Sequence, residues 1–132
     1  MSFNRATLAI FGPVLILAGI LGFFLSPELT PTSDAAPYNI FHIVFGVIGV
    51  LIVLTRQEWP AIGFNLIFGT LDLYQFVASY ANLFPEQLFQ WTRADDVLHI
   101  VLGLILALLG LYGYLTSRPV PVRQIIFADK LE

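Results

Sequence analysis

Three residues of this chain place polar chemistry where apolar chemistry surrounds it: His42, His99 and Asp72. Asp72 has about eleven residues of mostly apolar sequence on either side, which puts it near the centre of a membrane span. An acid there costs about 2.5–3.5 kcal/mol on insertion scales and is expected to face protein rather than lipid. It reads either as a proton or cation site or polar anchor for a bound group, or as an acid bonded to Thr70, Gln75 or a facing carbonyl in the service of helix association. Asn65, Gly69, Asp72, Phe76 and Ser79 recur at helical spacing and form one narrow stripe, with Asn65 and Ser79 its other intramembrane polar members. The two histidines have three readings. They close local polar clusters beneath helix caps at Asn39 and Asp96. They are axial ligands to haem, imidazoles reaching one iron from two facing helices. Or they form a proton relay or a zinc or iron site with Asp95 or Asp96.

The histidines are also related to each other. Residues 42–46 read HIVFG and residues 99–103 read HIVLG, an offset of 57. At the same offset Ile10-Phe11-Gly12 matches Ile67-Phe68-Gly69. This pattern implies a duplicated helical hairpin. In the repeat Asp72 corresponds to Leu15, so the acid breaks the symmetry. Both hairpins would run the same way, a parallel repeat about an axis along the membrane normal.

Composition requires a membrane to hold these elements. Of 132 residues 58% are hydrophobic and 11% charged, and a soluble domain carries about 25% charge. Four runs are long enough to span. Residues 7–25 form the first, read as an uncleaved helix rather than a signal peptide, with Pro13 bending it one turn in. Residues 38–54 form the second, residues 61–83 the third and residues 97–116 the fourth. The proline-rich stretch 26–37, the turn 55–60 and the stretch 85–96 connect them. Residues 122–131 suggest a short interfacial helix. The fold class is therefore an all-α bundle of four transmembrane helices in one membrane domain, with hairpin one at about 7–54, hairpin two at about 61–116 and a tail at 117–132.

Arg5, Arg56, Arg118, Arg123 and Lys130 fall on one side and Arg93 on the other, which predicts cytoplasmic termini. Trp59 and Tyr114 are expected at the inner interface, and Tyr38, Tyr80 and Trp91 at the outer one. Asp95 and Asp96 read first as acids favouring a helix start, and Arg93 as a partner of Glu86 or Asp95.

Asn39-x-x-His42-x-x-x-Gly46, Phe64-x-x-x-Phe68-Gly69 and Asp95-Asp96-x-x-His99-x-x-x-Gly103 resemble the motifs of a family of small four-helix bacterial membrane proteins classed as a domain of unknown function. The resemblance spans about residues 7–115. Where that family often has Asn-x-x-Asp-Asn before the last histidine, this chain has Trp91-Thr92-Arg93-Ala94-Asp95-Asp96, a partial match. The resemblance implies the fold, a bacterial inner membrane and weight on His42 and His99. It implies no reaction.

Among functions, there is no basic tract for nucleic acid and no cysteine. Phosphate-loop, zinc-protease and serine-hydrolase motifs are missing too, so the sequence leans away from an enzyme. The leading expectation is a non-enzymatic accessory subunit that packs in the bilayer against a larger membrane-protein partner or its own copies. The alternatives are proton or small-ion transport through Asp72, and haem, quinone or metal binding at His42 and His99. The sequence identifies no cofactor.

Overall fold

The structure, a computed structural model, describes residues 1–117. It is all-helical over those residues: α1 (Phe3–Phe24), α2 (Ala36–Leu54), α3 (Glu58–Ala81), a one-turn α4 (Glu86–Phe89) and α5 (Arg93–Thr116). The four long helices are each long and apolar enough to cross a membrane. The chain is an integral-membrane four-helix bundle. The suggested helix at 122–131 lies outside the described residues.

Helices start earlier than apolar runs do, because caps and polar first turns belong to them. Ser2 caps α1 and accepts from the Arg5 amide. Thr92 caps α5 in a reciprocal box with Asp95. Asn39 and Asp96 are therefore not caps: both lie in the first turns of α2 and α5. Pro13 sits eleven residues into a continuous α1, at an exposed position rather than one turn in. α4 was not expected from the sequence.

The offset of 57 also relates the helix boundaries at the loop-bearing end. It carries Ala36, the first residue of α2, onto Arg93, the first of α5, and Phe24, the last of α1, onto Ala81, the last of α3. α1 packs chiefly on α2, and α3 on α5, so each hairpin is a unit. The hairpins meet chiefly through α1 and α3, with lesser contacts of α2 on α3 and of α1 on α5, and α2 and α5 reach each other through side chains at their first turns. Phe11 and Phe68, equivalent in the repeat, meet edge to face across the axis at 5.5 Å between centroids.

Glycine makes each hairpin tight. A Cβ on Gly12 would stand 3.1 Å from the Gly46 carbonyl oxygen, and one on Gly69 would stand 2.8 Å from that of Gly103. These four are repeat equivalents, two pairs of backbones in close approach. α3 is the most buried span. Its buried face combines Asn65, Gly69, Asp72, Gln75 and Ala78 with Ile62, Phe64 and Phe68, while Ile67 and Val77 on the other side face lipid.

Gly69→Ala forces backbone apart and is expected to cost about 1–3 kcal/mol, lowering the thermal midpoint in detergent by several degrees. Gly63, whose added Cβ would meet nothing within 4 Å, is the control. Gly63→Ala is expected to leave the midpoint unchanged or raise it slightly, since Ala favours the helix. Equal loss at both positions would contradict the close-approach account.

Candidate functional site

At the end of the bundle that carries both loops, Asp95 is fully buried. Its carboxylate accepts from the Ser33 amide at 2.9 Å, the Thr92 amide at 2.8 Å, the Thr92 hydroxyl at 2.9 Å and the Tyr38 hydroxyl at 2.5 Å. One side chain thus joins the connection between α1 and α2, the start of α5 and the first turn of α2. The positive end of α5 favours the charge. This is more than the helix-start role expected of it. It also removes Asp95 as a partner for Arg93, which instead donates to the Tyr80 hydroxyl at 2.7 Å and lies over that ring. Tyr38 and Trp91, expected at the lipid interface, are buried. Tyr80 is exposed as expected, and so are Trp59 and Tyr114, which meet edge to face near the opposite end.

Tyr38 in turn orients His42. The His42 Nδ1 lies 2.8 Å from the Tyr38 carbonyl oxygen, and the two rings are 4.1 Å apart. A carbonyl only accepts, so Nδ1 carries the proton, and Nε2 of the neutral ring is left with its lone pair. His99 packs edge-on to Trp91 at 5.6 Å between centroids, and its Nδ1 is buried without a partner among the described residues. Both histidines lie six residues into their helices, about 9 Å, deeper than the apolar runs suggest because α2 and α5 begin before those runs. Asp72 lies nine residues from the same end of α3, about 14 Å.

These three side chains converge. His42, His99 and Asp72 line one cavity of about 160 Å3 between the hairpins. Its other walls include Phe11, Leu15, Phe68 and Leu102, with Tyr38 and Thr32 toward the loops. Asp72 is 4% exposed and makes no hydrogen bond to a described residue. Thr70 donates to the Leu66 carbonyl instead, so it does not satisfy Asp72. The cavity straddles the repeat axis: His42 and His99 are equivalent, and so are Leu15 and Asp72.

The polar stripe on α3 does not act as one site. Asn65 is held at the opposite end, donating to the Asn4 side-chain oxygen at 2.9 Å and the Asn4 carbonyl at 3.2 Å. Ser79 lines a separate cleft of about 330 Å3 near Trp91, Arg93 and Asp96. Asp72 alone of the three reaches the cavity. Asn4 and Ser33, both buried in polar contacts, lie outside the apolar runs and were not singled out in the sequence; a polar residue beside a helix start was the available signal.

The cavity does not fit haem. Its volume is close to the 150 Å3 that accommodates benzene, and a tetrapyrrole is several times larger. Nor are any three metal-ligating side chains, His42, His99 and Asp72 included, close enough together to hold one metal ion among the described residues. Asp95 is spent on its four donors, and neither it nor Asp96 completes a His–His–Asp zinc or iron set with His42 and His99 among the described residues.

Asp95→Ala is expected to cost about 3 kcal/mol or more, since it strands several donors to a charged acceptor. It should also speed proteolysis within residues 26–35. Tyr38→Phe removes one donor and should cost about half as much. A loop that stays protected in Asp95→Ala would contradict the role given to this carboxylate.

Comparison with family models, with curated proteins and with solved structures finds no match for this chain, so its function is argued from the cavity.

Proposed function

We propose that this protein is a small non-catalytic subunit of a membrane assembly, and that it holds a small hydrogen-bonding ligand in the cavity at His42, His99 and Asp72. One observation carries the reading: these groups share a cavity with hydrogen-bonding capacity unspent. Buried polar groups that serve packing alone are satisfied by their neighbours. Asp95 is satisfied in that way by Ser33, Thr92 and Tyr38.

The same arrangement favours binding over passage of protons or ions. Toward the other end of the bundle the space is filled by Leu8, Phe64, Phe68 and Leu106, a closed apolar core. A role beside a partner is supported by an apolar groove of about 340 Å3 between α2 and α3, with open space at Gly63. We take the membrane to be a bacterial inner membrane with both termini cytoplasmic. The support is the resemblance to the four-helix family and the grouping of Arg5, Arg56, Arg118, Arg123 and Lys130 opposite Arg93.

Asp72→Leu tests this reading, because it restores the residue found at the repeat-equivalent Leu15. Replacing an unpaired buried acid with a hydrophobe of similar size is expected to stabilise the bundle by about 1–4 kcal/mol. The same change should remove a small molecule that co-purifies with the parent in mild detergent, detected by extraction and mass spectrometry. A gain in stability with loss of ligand is the signature of a site kept at the expense of stability. A less stable variant, and no ligand on the parent, would count against it.

A further inference from the structure

The ligand's class follows from the size of the cavity, its free acceptors and the side on which it opens. At about 160 Å3 it suits one six-membered ring. Phe11 and Phe68 present aromatic surface to it, and aromatic edges and faces pair well with another ring. His42 offers a lone pair on Nε2, and Asp72 offers carboxyl oxygens with no donor among the described residues. A ligand that brings donors, such as hydroxyl or ammonium groups, satisfies both acceptors.

The mouth chooses between these. Val14 and Ala18 line the cavity from α1 and Leu98 from α5, and all three are exposed. They are apolar and lie in spanning helices, so the opening faces acyl chains. A neutral hydroxyl loses far less than an ammonium ion on crossing hydrocarbon to reach Asp72. The small Ala18 side chain leaves a gap at the mouth through which a substituent can trail into the bilayer. We propose that the cavity binds the head group of a lipid-soluble quinol. The ring lies against Phe11 and Phe68, one hydroxyl donates to His42 Nε2, and the other donates to Asp72. The apolar tail leaves over Ala18 between α1 and α5. This rests on the ligand-binding reading above and narrows it.

Trp91 can report the binding, because its ring lies 5.6 Å from that of His99, and the chain has one other indole. The full chain carrying Trp59→Phe is placed in nanodiscs of synthetic phosphatidylcholine. It is titrated under argon with a short-chain benzoquinol, with the dimethyl ether of that quinol, and with an alkylammonium of equal tail length. Saturable quenching by the quinol, at least about tenfold tighter than by the ether, is the expected result. His42→Ala and Asp72→Leu should each weaken it by about tenfold or more. Ala18→Phe, a change at an exposed position that leaves every polar group in place, should abolish it with the thermal midpoint unchanged.

Equal binding of quinol and ether would overturn the proposal, since the hydroxyls would then not be recognised. Asp72-dependent binding of the alkylammonium without binding of the quinol would overturn it too, and leave the ligand-binding reading standing. If no probe binds, and extraction of the parent yields no Asp72-dependent molecule, both readings fall.

Discussion

The loop-bearing end of the bundle depends on one buried carboxylate. Asp95 takes hydrogen bonds from a loop amide, a cap residue and a tyrosine, which join residues 33–38 to the start of α5. An unpaired charge in that position would be strongly destabilising, so the stretches must come together for the acid to be tolerated. Through Tyr38 the constraint passes to His42, whose proton is pinned on Nδ1 by the Tyr38 carbonyl. The tautomer of a residue in the cavity is thus set from outside it, as outer partners set the orientation of histidine ligands elsewhere.

Tight and loose packing are divided between the two kinds of interface. Within each hairpin, glycine brings backbones together at equivalent places. Between hairpins, larger side chains such as Phe11 and Phe68 hold the helices further apart. The space above those rings is the cavity, and polar groups around it lack the partners that close packing would bring. The same duplication therefore yields both the rigid units and the gap between them.

The sequence makes much of this legible. Apolar runs reveal the spans because lipid demands them, and HIVFG and HIVLG reveal the pairing of His42 with His99. Asp72 stands out because an acid in a span has few inexpensive placements. The rest depends on which way side chains turn, which spacing does not fix across helices. Asn65 and Asp72 share one face of α3, yet Asn4 claims the first and an open cavity meets the second. Tyr38 and Trp91 sit at a depth that suits an interfacial belt, but Asp95 and the ring of Phe89 draw them inward. α4 is a single turn, too short for periodicity to register.

The join between the hairpins has a consequence for what the axis can hold. A dimer of identical hairpins would place two copies of any residue about the axis, so an acid at the position of Leu15 and Asp72 would face its own image. Two carboxyl groups sharing such a site repel each other when both are charged. Linking the hairpins into one chain frees each half to vary alone. It lets a single acid face an aliphatic neighbour while the histidines stay paired. A symmetric ancestor could present matched chemistry to a symmetric guest. The fused chain can tell one end of its guest from the other.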